Sequence, residues 1–260
     1  MKNIFNVLVI VIALVISYAI FEFVFGNPEN FKDPEERKEP KSGEILAMIY
    51  TGGPIVAVLM SLIIIGITFS FERFLSINKA KGKGDLSVFI KKLNDYLVKG
   101  AYDDALQECD KQRGSLANIV RAGIERFKEV KDDDELDKEK KMSEVQRAID
   151  EATNLETPLL EKNLVILSTV ASVSVLFGLL GTTIGMIRAF AAFGETGTVD
   201  ATQLAIGISE ALYNTAGGLM GAIIAIIMYN FFTTKVDNYV YMIDEAILNI
   251  THIFTIHVKS

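Results

Sequence analysis

The sequence predicts an all-α integral membrane protein whose long transmembrane helices extend into a cytoplasmic helical region. Three observations predict it. Half of the 260 residues are apolar, and they gather into four long blocks instead of recurring at the short periods of a soluble core. The stretch between the second and third blocks is highly charged and carries apolar residues at helical spacing. Lysine and arginine crowd beside some blocks and are missing beside others, which is how membrane orientation is encoded.

The first block runs from Ile4 to Phe25, interrupted by Asn6, Ser17, Tyr18 and Glu22. At about 1.5 Å per residue it covers roughly 30 Å, enough to cross a bilayer. A cleaved leader would have a shorter apolar core and a small-residue cleavage site. "YAIFEFVFGNP" offers neither, which favours a retained anchor. Asn27 to Lys41, "NPENFKDPEERKEPK", combines prolines with mixed charge, the composition of an exposed, poorly ordered linker. Ser42 then offers a cap to a short amphipathic turn at the interface. Pro54 suits the first turn of the second span, which reaches about Phe74.

The third span lies in Leu164 to Phe190 and the fourth in Leu204 to Phe232. Arg73, Lys79, Lys81 and Lys83 follow the second span at once, whereas "AAFGETGTVDATQ" between the last two has neither Lys nor Arg. The positive-inside rule therefore places residues 75–160, the N-terminus and the tail from Thr233 in the cytoplasm, and the 191–203 loop outside. The insert reads as helices. "DLSVFIKKLNDYLVKG" has apolar residues at 86, 89, 90, 93 and 97 with Gly100 as a stop. "AYDDALQECD" and "SLANIVRAGIERFKEV" are further helices, and "KDDDELDKEKK" is a solvated loop. From Met142 the pattern turns helical again. Kinked at Pro158, it predicts a stalk continuous with the third span, about 45 residues or roughly 70 Å long.

Several function classes are excluded. A net charge of −7 and the lack of a basic, aromatic-laced tract exclude nucleic acid as a partner. The single cysteine, Cys109, permits no internal disulfide and no thiolate metal cluster within one chain. His252 and His257 are the only imidazoles, so no metal site is expected. The glycines of "GLLGTTIGM" lie in an apolar run with no following Lys-Ser/Thr, unlike a phosphate loop. No constellation of nucleophile, base and metal appears, so neither an enzyme nor a cofactor is expected.

The polar residues inside the last two spans carry the chemistry. The spans are antiparallel, so residues equidistant from position 198 or 199 share a depth. Thr182 and Thr215 are such a pair. Small residues line one face of each helix: Ala171, Ser174, Gly178, Gly181, Gly185 and Ala189 on one, Gly207, Ala211, Asn214, Gly218, Ala222 and Ala225 on the other. Such faces let backbones approach closely, and packing alone accounts for most of these glycines. Arg188 and Glu210 also share a level, near the outer interface. A charge in hydrocarbon costs at least a few kcal/mol unless paired or hydrated. Either the two form an ion pair, or Arg188 snorkels outward and Glu210 lines a hydrated path with Thr182 and Thr215, whose hydroxyls both donate and accept. Neither span has an Asp or Glu near mid-membrane. A proton path here takes its titrating carboxylate from another polypeptide.

"GLLGTTIGMIRAF" followed by "LAIGISEALYNTAGGLMGAIIAIIMYNFF" resembles the MotA/TolQ/ExbB proton channel family, closest to its ExbB and TolQ branches. The matching features are Leu-Gly-Thr-x-x-Gly at 180–185, Gly-Ile-x-Glu-Ala-Leu at 207–212, Thr215, and Tyr229-Asn230. The resemblance is strong over about 175–240 and weaker elsewhere. It implies a bacterial inner-membrane subunit of a homo-oligomeric ring, commonly a pentamer, around a central pore. The pore holds a dimer of single-span ExbD- or TolR-like partners, whose membrane aspartate takes the proton. It implies that Thr182 and Thr215 are the pore threonines and Glu210 the membrane glutamate, with Gly178, Gly181, Gly185, Gly207, Asn214 and Gly218 packing the pore. The proton motive force then works through a TonB-like protein on outer-membrane uptake, or through the Tol–Pal system. Arg188 departs from the family, where an uncharged polar residue is common, and the first span is absent from its three-span members.

The organisation expected on these grounds is an anchor or leader over 1–25, a periplasmic linker and interfacial helix over 26–53 and a transmembrane helix over 54–74. A cytoplasmic helical insert over 75–160, a pore-forming hairpin over 161–232 and a cytoplasmic C-terminal helix over 233–260 follow. A flagellar or gliding stator is an alternative with the same chemistry and a different load. A non-conducting scaffold would explain the glycines but not Glu210 and the level threonines.

Overall fold

The computed structural model describes residues 2–37, 39–196 and 201–258. Among them the regular elements are helical, and the only β feature is an isolated bridge between Phe31 and Pro40. The α-helices are α1 (Lys2–Ile20), α2 (Ile45–Tyr50), α3 (Pro54–Lys81), α4 (Leu86–Val98), α5 (Tyr102–Gln112), α6 (Ser115–Val130), α7 (Lys138–Glu161), α8 (Leu164–Thr196) and α9 (Ala201–His257). Among the described residues, four helical stretches are long and apolar enough to cross a membrane. The chain divides into two compact units, 1–71 with 163–230 and 72–162 with 231–260.

In the first unit α1 turns Ala13 and Ser17 inward, with Phe21 just beyond its end, and leaves Ile4, Val7 and Val15 exposed, as a lipid-facing helix does. The Asn6 amide nitrogen donates to Asn163 Oδ1 at 3.0 Å, which gives that donor a partner within the span. A wider π-turn over Phe21–Phe25 then leads into the proline-rich segment. That segment is not the loose linker its composition suggests. Asn27 caps a 3₁₀ turn at Pro28–Asn30, Phe31 is fully buried, and Lys32 N–H to Glu39 O and Lys41 N–H to Asn30 O, each 2.9 Å, close the loop. The cause is Tyr50. Its ring stacks on Phe21 at 4.5 Å, meets the edge of Phe31 at 5.5 Å and lies under the Arg37 guanidinium at 5.7 Å. These contacts supply the burial that a disordered segment lacks. Ser42 is not the cap of α2, which begins after Glu44 with no side-chain cap bond.

The stalk is not continuous with the third span. α7 ends at Glu161, Lys162 is extended, and Asn163 adopts φ +64° before α8 begins. Asparagine tolerates this left-handed conformation better than most residues. Here its carbonyl also accepts the Ile166 N–H at 3.1 Å, starting the new helix. Pro158 lies inside α7 and does not end it. The loop expected over 191–203 is shorter, because α8 runs to Thr196 and α9 starts at Ala201. Its midpoint at 198 or 199 lies outside the described residues.

The second unit packs α4 to α7 with the C-terminal part of α9. α4 buries Leu86, Phe89, Leu93 and Leu97, and Gly100 follows with φ +69°. α7 starts four residues before Met142, inside the charge run. Asp137 accepts the Lys140 N–H at 2.8 Å, and Lys141 folds onto the Lys131 carbonyl at 3.3 Å. Phe127 and Phe254 stack at 4.3 Å, and His257 Nδ1 lies 3.1 Å from the Tyr102 hydroxyl, which docks the tail. Tyr239 donates to the Ala80 carbonyl at 2.8 Å and accepts the Leu116 N–H at 3.3 Å, and burial pushes its phenol up to about 12. Cys109 is buried here as well, its thiol pushed up to about 12 by desolvation. That makes it a poor nucleophile.

Asp85 caps α4 by accepting the N–H groups of Val88 at 3.3 Å and Ser87 at 2.8 Å, and these bonds hold its carboxyl below the usual value. With a depressed folded pKa, the cap contributes fully above the unfolded value and is lost as pH falls through the folded one. Acidification through that window is expected to lower the protection of the Ser87 and Val88 amides, measured as exchange relative to the intrinsic rate at each pH. In Asp85→Asn, which accepts without titrating, that protection should stay flat with respect to this group.

Candidate functional site

The site is built where α8 meets the first part of α9. The two small faces are the buried faces: Ala171, Ser174, Gly178, Gly181, Gly185 and Ala189 of α8 turn inward, as do Gly207, Ala211, Asn214, Gly218 and Ala225 of α9. The approach is backbone to backbone. A Cβ added to Gly178 would lie 3.1 Å from the Gly218 Cα, and one on Gly218 would lie 2.6 Å from the Ser174 carbonyl oxygen. Gly185 and Gly207 interlock further along: a Cβ on Gly185 would meet the Ala211 nitrogen at 2.9 Å, and one on Gly207 the Ala189 Cβ at 2.7 Å. This is the contact that small-residue faces permit in lipid, where no hydrophobic force drives helices together.

The close approach brings Thr182 and Thr215 together. Their hydroxyls are hydrogen-bonded to one another. Each also reaches the Gly178 carbonyl, at 3.2 Å from Thr182 and 3.4 Å from Thr215. Both residues are half-buried. Six residues further along α8, about 9 Å at the helical rise, Arg188 Nη1 donates to Glu210 Oε1 at 2.5 Å. The pair is asymmetric: the Arg188 side chain is 56% exposed and that of Glu210 only 7%.

Asn214 lies between the two helices and also reaches a third element. It is fully buried, and its amide donates to the Gly52 carbonyl at 2.9 Å. Gly181 exists to admit it, since a Cβ there would fall 2.3 Å from the Asn214 Cβ. The turn before α3 is therefore part of the site, which sequence reasoning missed. A Cβ on Gly53, which holds φ +74°, would lie 3.3 Å from Glu210 Oε1 and 3.5 Å from Arg188 Nη1. The double glycine of "TGGP" was the available signal, since paired glycines beside a span mark a turn with close contacts.

These features define a class: a polytopic helical membrane protein in which two glycine-packed helices carry a hydroxyl pair and an ion pair within the apolar span. Residues 111–245, just over half of the chain, match the MotA/TolQ/ExbB proton channel family, and the chain belongs to that family. It is similar to the Tol-Pal system protein TolQ of Pseudomonas aeruginosa, with 36% identity over 120 residues, 46% of this chain and 52% of that protein. It is similar to the biopolymer transport protein ExbB of Aquifex aeolicus, with 44% identity over 77 residues, 30% of this chain and 52% of that protein. The TolQ of Haemophilus influenzae is 42% identical over 91 residues, 35% of this chain and 40% of that protein. The matched stretches thus span about half the length, or less, of these three relatives.

Proposed function

We propose that the chain is a proton-channel subunit of an ExbB–ExbD-type inner-membrane motor, which uses the proton motive force to energise TonB-dependent outer-membrane transport. The observation that carries this reading is the hydroxyl pair of Thr182 and Thr215, hydrogen-bonded within the span, in helices with no carboxylate near mid-membrane. Hydroxyls relay a proton but do not hold a charge at neutral pH. The titrating acid then belongs to a partner, a single-span protein with a membrane aspartate. In this reading a homopentameric ring surrounds a dimer of that partner. Thr182, Thr215 and Glu210 line the hydrated path, Arg188 holds Glu210, and the glycines of α8 and α9 pack its wall. The same reading places residues 75–160 and 233–260 in the cytoplasm and the 26–53 segment in the periplasm. A second reading, a TolQ-like subunit of the Tol–Pal envelope system, is favoured by the similarity to two TolQ proteins.

The test is isolation of the tagged chain from its native membrane. A single-span protein bearing a membrane aspartate is expected to co-purify. Proteoliposomes of the complex are expected to take up protons under an imposed potential, and to stop when that aspartate is replaced by asparagine. Uptake that persists without any such partner would overturn the motor. The third component recovered, TonB-like or Tol–Pal-like, decides between the two loads.

A further inference from the structure

The Glu210 carboxylate is covered on two sides. Arg188 covers one and is itself largely exposed. The Gly52–Gly53 turn covers the other, with Gly53 so close that a Cβ there would sit 3.3 Å from Glu210 Oε1. We propose that α1 and the folded segment after it are a clasp that seats this turn over Glu210, and that Asn214 is the residue that positions the turn.

Two successive residues of α9 hold the turn and the helix before it. The Asn214 amide donates to the Gly52 carbonyl at 2.9 Å, and the Tyr213 hydroxyl reaches Met48 Sδ at 3.5 Å. Asn214 Oδ1 is buried and finds no donor among the described residues, so the amide donor is the anchoring group. From the other side the turn follows Tyr50, which Phe21, Phe31 and Arg37 enclose. Arg37 closes the enclosure by donating to the Glu22 carboxylate at 3.3 Å and the Gly26 carbonyl at 3.2 Å. It does so at φ +50°, a conformation a bulky residue keeps only where its surroundings enforce it. Gly26 is pressed against the same ring, with 2.5 Å between a Cβ added there and Tyr50 Cε2. A continuous series of contacts therefore runs from the end of α1 through Arg37 and Tyr50 to the turn and Glu210, all within the first compact unit.

The series sets how much water reaches Glu210. The functional consequence rests on the proton-channel reading: a loosened clasp hydrates Glu210 and lets protons pass without work. The cover itself does not rest on it.

The test labels Glu210 directly. The full chain, in membrane vesicles, is treated with a water-soluble carbodiimide and glycine ethyl ester, and amide formation at Glu210 is quantified by peptide mass spectrometry. Arg37→Gly removes the guanidinium and relieves the positive φ, and Asn214→Leu roughly keeps the size and removes the donor. Each is expected to raise labelling roughly fivefold or more, the shift that loss of one ordinary hydrogen bond produces. Thr182→Val interrupts the proposed proton path without touching the turn and is expected to label like the unmodified chain, so failure of the proton reading and failure of the clasp separate. Unchanged labelling in an assembled Arg37→Gly protein overturns the clasp. If that variant does not assemble, Arg37→Gln decides the same question. Unchanged labelling in Asn214→Leu overturns the positioning role of Asn214.

Discussion

Replacing Thr182 or Thr215 by valine is expected to abolish proton uptake in proteoliposomes and energised transport in cells, while the protein still accumulates and binds its partner. Valine copies the shape of threonine and removes only the hydroxyl, and neither position is fully buried. After either substitution the remaining hydroxyl keeps the Gly178 carbonyl as acceptor. No polar group is stranded, and the folding cost stays near the net worth of one hydrogen bond, about 1 kcal/mol. Transport responds differently. A proton passes along hydroxyls only where each member both donates and accepts. The valine variant breaks the series at the point where the two helices meet. The loss should be at least about 100-fold, the low end of what one positioned proton-transfer group supplies. Serine at the same position restores the hydroxyl and should restore uptake. Normal uptake in either valine variant would remove that threonine from the path.

The legible part of this molecule is the part that depends on distance along the chain. Apolar length shows in the sequence, so the four spans could be read from it. A short connection between antiparallel helices makes equal sequence distance equal depth. That is why Thr182 could be matched to Thr215 and Arg188 to Glu210 without coordinates. The illegible parts depend on contacts between distant residues or on backbone states with no compositional mark. The segment after α1 reads as disordered because proline and glutamate dominate it, and its order comes from Phe31 and Arg37 meeting a tyrosine on another helix. The break between α7 and α8 rests on one asparagine in a left-handed conformation, held by Asn6 from 157 residues away. Asn214 reads as one more small polar packing residue. Its partner at Gly52 is 162 positions distant, and no helical periodicity connects them.

Glu210→Gln and Arg188→Ala are expected to fail in different ways, and the difference assigns a role to the pair. The exposures of the two side chains, 7% for Glu210 and 56% for Arg188, decide the direction. Arg188→Ala leaves a buried carboxylate without its counter-ion. Breaking a fully buried pair costs about 3–5 kcal/mol, and the largely exposed Arg188 lowers that here, but the direction stays unless the group takes a proton or water enters. The yield of assembled complex should fall and its thermal inactivation should come earlier. Glu210→Gln leaves behind an arginine that already reaches solvent and can turn further outward. The expected cost is that of an exposed pair, below about 1 kcal/mol, and assembly should match the unmodified chain. A purely structural pair then predicts that Glu210→Gln also transports normally. A glutamate lining the hydrated path predicts that it assembles and does not transport, and this is the expected result. The double variant, Arg188→Ala with Glu210→Gln, should regain most of the assembly lost in Arg188→Ala, because no buried charge remains, and regain none of the transport. Exchange of the two charges should behave alike: the ion pair returns, but a cation stands where the path requires an acid. Full transport in Glu210→Gln would leave Thr182 and Thr215 as the conducting residues and reduce Arg188–Glu210 to a fastening between α8 and α9.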